Sequence, residues 1–352
     1  MIIESTSPPI AIVDSHIHIF PQTHLSTLAW HTPDNPLGTQ HSVDQYRSAA
    51  LSAPTESSSS PSSTFLRGFI FVETDRLSSV DESESPGWKH VLDEVAFLVR
   101  VARGAPLPGE GHRPEDKGLC VGIVPWAPVP AGPETLERYM GLVKERTEID
   151  EVWRKDRFIQ GLKWLWKKGL TFDLGVDARS GGLWQLREAV EMMRKVYEDA
   201  SDDEGLVIVI NHLCKPNLRL PYTSRESITS HPEFIEWSSL IRTMSTCPRT
   251  YIKLSGAFSE LPSLSPNAEP DIDSLVERLG PWTDTVFEAF GSGRIMFGSD
   301  WPVCNVGGGG NAVSWRRWRA IVEGVIQRKG LTREQMRDVW GGVAVKAYGI
   351  EL

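Results

Sequence analysis

The chain has 352 residues, 40% hydrophobic and 24% charged, the balance of a globular protein with one large core or two modest ones. Its formal net charge of −9, with no basic run anywhere, argues against nucleic acid or an anionic membrane surface as a partner. The opening MIIESTSPPI lacks the charged and apolar regions of a secretory leader, and no apolar run is long enough to span a bilayer, so a cytoplasmic location is expected.

The first apolar stretch, residues 10–20, reads IAIVDSHIHIF. Side chains two apart on a strand share a face, so His16 and His18 are expected to look into one cavity. Two such imidazoles suit a divalent metal or a polarised substrate oxygen. With 9 His in 352 residues, a His-x-His triplet is expected about 0.2 times by chance, so the pair alone is weak and needs context.

A long polar, Pro-rich loop follows, in which Trp30 either lines a pocket or pins the loop to the core. Residues 52–63 (SAPTESSSSPSS) are low-complexity and expected to be a disordered surface insertion. Residues 65–73 (FLRGFIFVE) predict a second buried strand ending on Glu73, either a pocket acid or a solvated strand-end charge. A helix is predicted from Trp88, Val91, Leu92, Val95, Leu98 and Val99. Residues 119–126 (LCVGIVPW) predict a third strand that delivers Trp126, and a helix begins at Pro133.

Between residues 144 and 157 no apolar strand appears, and Phe158, Ile159, Leu162, Leu165 and Trp166 already read as a helix. Four further strands are predicted at 170–176, 206–212, 250–255 and 294–300, with helices between them. A closing helix opens on the capping box Thr332-x-x-Gln335. Seven strands alternating with helices predict a parallel sheet, one strand short of a closed (β/α)8 TIM-like barrel. The whole chain, 1–352, is expected to form a single such domain. Cys120, Cys214, Cys247 and Cys304 show no C-x-x-C spacing, so buried or loop thiols are expected rather than a zinc knuckle or disulfides.

Three strand ends carry complementary chemistry: His16 and His18 on the first, His212 on the fifth and Asp300 on the last. Barrel strands converge at their C-terminal ends, so these four residues are expected to meet. Three imidazoles and a carboxylate make a zinc-compatible set with room for water. Taken singly, His212 reads equally as a hydrogen-bonded strand-end histidine and Asp300 as an N-cap.

The motifs DSHIHIF, NHLCKP and FGSDWPVCN resemble, in order, the first-, sixth- and eighth-strand motifs of the amidohydrolase superfamily. They are most similar to its amidohydrolase-related branch of sugar-acid lactonases, of the L-rhamnono-lactonase and L-fucono-lactonase type, with 2-pyrone-4,6-dicarboxylate lactonase as a cousin. TFDLGVD, YIKLSG and VWGGVAVKAYGI also resemble family segments. The resemblance implies that His16, His18 and His212 are ligands to a metal or to a substrate oxygen. It implies that Asp300 is the general base on water and then the proton donor to the leaving oxygen. Lys215, in the pattern H-x-x-K-P, becomes a substrate contact or an exposed charge. Trp301 and Trp126 either stack on a sugar face or pack in the core.

The family's G-V-R strand, whose arginine contacts substrate, has no counterpart between residues 144 and 157. Gly161-Leu162-Lys163 is similar, but helical periodicity places Lys163 on a helix surface. The barrel is therefore expected to lack this strand or to close with residues 149–153. The expected activity is lactone ring opening by a cytoplasmic hydrolase on a small-molecule sugar-acid lactone, with zinc or no metal and with self-association left open. The alternatives are a decarboxylase of the same fold and an inactive ligand-binding paralogue.

Overall fold

The computed structural model describes residues 8–32, 34–51, 64–147, 158–198, 200 and 204–352. The low-complexity segment 52–63 and the strand candidate 149–153 lie outside the described residues. Seven strands alternate with helices: β1 (Ile10–Ile17), β2 (Thr64–Val72), β3 (Cys120–Val124), β4 (Thr171–Leu174), β5 (Val207–Ile210), β6 (Thr250–Leu254) and β7 (Ile295–Phe297). Each falls on a stretch that the apolar runs predict.

The strands pair in parallel as two arcs, β1-β2-β3 and β4-β5-β6-β7. The arcs join where the chain leaves β7: Ile17 bridges Trp301 in parallel, and the His18 amide donates to the Trp301 carbonyl at 2.7 Å. On the opposite side, between β3 and β4, the described residues contain no strand. Helices Pro133–Thr147 and Phe158–Lys167 stand there instead, and Lys163 is half-buried on the second. β3 and β4 are half-buried along most of their length, whereas β5, β6 and β7 are buried throughout. The fold is an α/β barrel with the fourth strand position unfilled among the described residues.

Period-two alternation sorts the strand residues. Ile12, Ile17, Phe69, Phe71, Ile208, Ile210, Ile252 and Leu254 join the helices in the outer core. Val13, Ile70, Val207, Val209, Tyr251 and Met296 fill the interior with Val343, Ala344 and Ala347 of the closing helix Val343–Tyr348. That helix follows a π turn over Asp338–Gly342 in which Gly341 lies against β1. A Cβ there would sit 3.1 Å from the Val13 nitrogen and 3.2 Å from the Ala11 carbonyl, so glycine lets the plug close on the strand.

The capping box is present, with the Thr332 hydroxyl accepting from the Gln335 amide at 3.3 Å and the Gln335 side chain accepting from the Thr332 amide at 2.9 Å. Helix Ile272–Phe290 lies in the interval between β6 and β7, and helices Val43–Leu51 and Ser314–Arg328 stand where the sequence reading named none. All four cysteines are free thiols, with Cys120, Cys214 and Cys304 buried. No helix among the described residues is long and apolar enough to cross a membrane.

Candidate active site

β1 reaches the site through an irregularity. Val13 faces the barrel interior and Ile17 the outer shell, and the register with β2 shifts between Asp14 and Ile17. A bulge of this kind re-aims side chains near strand ends, and here it turns His16 and His18 inward together. Their Nε2 atoms lie 3.1 Å apart. His212 arrives differently: residues His212, Leu213, Cys214 and Lys215 all have positive φ, 52°, 54°, 59° and 43°. Left-handed backbone costs L-residues roughly 1–2 kcal/mol each, so packing holds this turn against local preference. Asp300 also has a positive φ, 60°, and its amide donates to the His16 carbonyl at 2.9 Å.

The result is one cluster. Asp300 Oδ1 lies 3.8 Å from His16 Nε2, 3.6 Å from His18 Nε2 and 3.6 Å from His212 Nε2. Asp300 is 2% exposed, and its Oδ2 is buried without a hydrogen-bond partner among the described residues. Such an atom needs a proton-bearing or cationic neighbour. Burial opposes the Asp300 charge, yet the facing His212 and His18 hold its carboxyl below the usual range. Burial lowers His212 to about 4 and His16 well below its ordinary value, so both rings are neutral at physiological pH. Burial also opposes protonation of His18, but Asp300 outweighs it and raises that ring.

Outer partners fix the rings. His18 Nδ1 donates to the carbonyls of Val72 and Glu73, both at 2.9 Å, which in the neutral ring leaves its Nε2 lone pair facing the cluster. His212 Nδ1 faces the Ser255 hydroxyl at 2.8 Å. His16 Nδ1 lies 3.1 Å from the Lys253 ammonium. Lys253 is fully buried and bonds Asp173 at 2.5 Å, and the Tyr348 hydroxyl donates to the other Asp173 oxygen at 2.6 Å. The three ligand atoms of His16, His212 and Asp300 lie within 4.8 Å of one another, and with His18 alongside, the cluster could hold a metal ion.

The other expected residues are placed unevenly. Lys215 is half-buried beside the cluster, its charge acting on both Asp300 and His212, and its side chain makes no hydrogen bond among the described residues. Glu73 contributes its backbone carbonyl to His18, while its carboxylate accepts from the Asp75 amide at 2.6 Å. Burial, reinforced by Glu94, pushes that carboxyl up to about 7. Trp30 pins its loop, donating to the Thr74 carbonyl at 2.9 Å and packing on Phe20.

Trp301 lies in the core, one of the two places the sequence left open for it. Its ring is fully buried against Tyr46 and His41, and its Nε1 donates to Asn311 at 2.7 Å. Trp126 packs edge-on against Tyr139 in a side cluster under the helices. Sequence reasoning missed Lys253, Asp173, Tyr348, Ser255 and Gly256. The last has φ 70°, and a Cβ on it would lie 2.5 Å from His212 Cγ.

A family model described as amidohydrolase matches residues 124–350. The L-rhamnono-gamma-lactonase of Scheffersomyces stipitis is 31% identical over 358 residues, covering 96% of this chain and 98% of that one. The L-fucono-1,5-lactonase of Burkholderia multivorans is 23% identical over 73% of this chain and 77% of its own. Among solved structures, an amidohydrolase from Burkholderia multivorans with bound zinc superposes with a TM-score of 0.60 at 20% identity. It covers 97% of this chain and 100% of that one, and the likeness concerns the fold.

Proposed function

The chain belongs to the amidohydrolase family, and from that premise we propose that it hydrolyses the ring ester of a sugar-acid lactone. The observation that carries the proposal is the Asp300 carboxylate, buried, ionised and open at Oδ2, with three imidazole Nε2 atoms ranged around its Oδ1. That arrangement suits a base whose proton must come from water and return to an alkoxide. The lactonase names of the relatives select the electrophile.

Asp300 Oδ2 takes one proton from a water whose oxygen bonds to the lactone carbonyl carbon. As the ring C–O bond breaks, the same carboxyl returns that proton to the leaving oxygen, and the product is an open hydroxy acid. Imidazole N–H groups directed at the carbonyl oxygen stabilise the charge that develops there. Lys215, with its uncommitted ammonium at the rim, binds a hydroxyl or oxygen of the sugar. His212 Nε2 faces the Asp300 carboxylate at 3.6 Å and positions it. The open Oδ2 and the neutral imidazoles fit a divalent cation, which His18, His212 and Asp300, with His16, would hold. Zinc suits nitrogen and oxygen donors, and such an ion would acidify bound water and polarise the carbonyl.

The test is a panel of aldonic γ- and δ-lactones with acid release followed directly, run beside aromatic acids with CO2 as the readout. Acid release from one or more lactones is the expected result. CO2 release without lactone opening would replace this reading with decarboxylation.

A further inference from the structure

The three histidines of the cluster are not equivalent in their outer partners. His18 Nδ1 faces two carbonyls, which accept only, so in its neutral form that ring carries its proton on Nδ1 and a lone pair on Nε2. His16 Nδ1 faces Lys253 Nζ at 3.1 Å. Lys253 is fully buried and bonds the Asp173 carboxylate at 2.5 Å, and an ammonium in that position offers protons and no lone pair. Asp173 is itself held, its second oxygen accepting from the Tyr348 hydroxyl at 2.6 Å, and Lys253 lies 5.5 Å from the Tyr348 ring centroid. The Lys253 ammonium thus reaches His16 Nδ1 along a fixed line.

We propose that Lys253, clamped by Asp173 and Tyr348, is a positioning residue that holds His16 with an unprotonated Nδ1 and a proton on Nε2. The cluster is thereby divided. His18, with Asp300, presents lone pairs, whereas His16 presents an N–H. The 3.1 Å contact between His16 Nε2 and His18 Nε2 is what this division requires, because one ring must donate and the other accept. The whole line runs Lys253 to His16 to His18 to the carbonyls of Val72 and Glu73, each group donating to the next. For the lactone reaction, on whose assignment this role rests, His16 Nε2–H is a donor for the carbonyl oxygen. For a metal ion, His16 is the member of the set that must change tautomer before it can bind, which weakens the site.

The test uses the full-length chain labelled with nitrogen-15 and freed of metal. Long-range proton–nitrogen spectra of the imidazoles report which nitrogen carries hydrogen, and His16→Gln identifies the His16 signals. The expected spectrum shows His16 protonated at Nε2 alone. A His16 ring protonated at Nδ1 in the wild type overturns the proposal whatever the variants do. Lys253→Met is expected to abolish the Nε2–H preference and to tighten zinc binding, titrated as the ion alone, by about tenfold or more, the scale on which outer partners act. Unchanged tautomer and unchanged zinc affinity in that variant also overturn it. Because Lys253→Met leaves Asp173 buried and unpaired, the double variant Asp173→Asn/Lys253→Met carries the same prediction in a form with no stranded charge. Lactone turnover is measured separately on the wild type. Its absence would remove the proposed reaction while leaving the tautomer result to stand or fall by itself.

Discussion

A methyl group at position 256 has nowhere to go. Gly256 combines a left-handed φ of 70° with a site 2.5 Å from both His212 Cγ and Nδ1. Gly256→Ala must either strain the backbone or displace the ring, and the ring is the softer of the two. We expect a loss of about 1–3 kcal/mol in stability by denaturant unfolding together with a fall in lactone turnover larger than the stability change explains. A variant with wild-type kinetics would show that His212 does not need its present place. His16, His18, His212 and Asp300 were legible in the sequence because each ends a run of buried β-branched or apolar residues, where a polar side chain has a reason to be. Lys253 was not, since a charge alternating with apolar residues in TYIKLS reads as the wet face of a half-buried strand. Only the closed curvature of the sheet turns that face into the barrel interior. Trp301, next to Asp300, was legible either as a stacking face or as a core residue, and the bridge from Ile17 to Trp301 turns its ring outward into the packing around Tyr46.

The elements around the site are tied by a few buried polar groups. Asp14 on β1 accepts from Tyr46 of helix Val43–Leu51 at 2.9 Å, from Trp315 of helix Ser314–Arg328 at 2.8 Å and from the Ser299 amide at 2.8 Å. One carboxyl therefore fixes two helices and the β7 exit to the strand that carries both histidines. Tyr46→Phe removes one of the three bonds and should cost about 1 kcal/mol, read as a shift in the urea midpoint without a change in slope. The loop after β2 is held similarly: Arg76 is 2% exposed, bonds Glu94 of helix Lys89–Arg103 at 2.7 Å and reaches the His24 carbonyl and Thr27 hydroxyl at 3.1 and 2.9 Å. Arg76→Met strands the Glu94 charge and is expected to cost about 3–5 kcal/mol in the same unfolding measurement. A cost under 1 kcal/mol would mean that the pair does not anchor the loop. The strands were legible as apolar runs of the right length. The bulge between Asp14 and Ile17 was not, because the polar residues Asp14, Ser15 and His16 interrupt the apolar pattern at the point where its phase changes. Helix Ser314–Arg328 has a regular apolar stripe through Trp315, Trp318, Ile321, Val322, Val325 and Ile326, a periodicity legible in the sequence.

At the scale of the molecule, the barrel is continuous from β4 through β7 to β1 and on to β3, with the fourth strand position unfilled among the described residues. β2, β5 and β6 have strands on both sides, whereas β3 pairs only with β2 and β4 only with β5 among those residues. Amides of β3 and β4 are expected to exchange with solvent markedly faster than those of β5 and β6 in native-state hydrogen exchange. Equal protection would mean that the edge is covered. In the sequence the polar interval between residues 144 and 157 carries no apolar run of the kind a buried barrel strand is built from, and residues 148–157 lie outside the described residues. We propose that the cluster where β1 and β7 meet, on the side of the barrel that is continuous among the described residues, is a working hydrolytic site. Turnover of an aldonic lactone panel by the wild type and by Asp300→Asn, with both proteins shown folded by circular dichroism, tests that claim most directly. Ring opening by the wild type is expected, with a loss of about 10²–10⁴-fold in kcat for the variant, the range a general acid–base residue supplies. A folded wild type that opens no lactone, or an Asp300→Asn protein that retains the full rate, would contradict it.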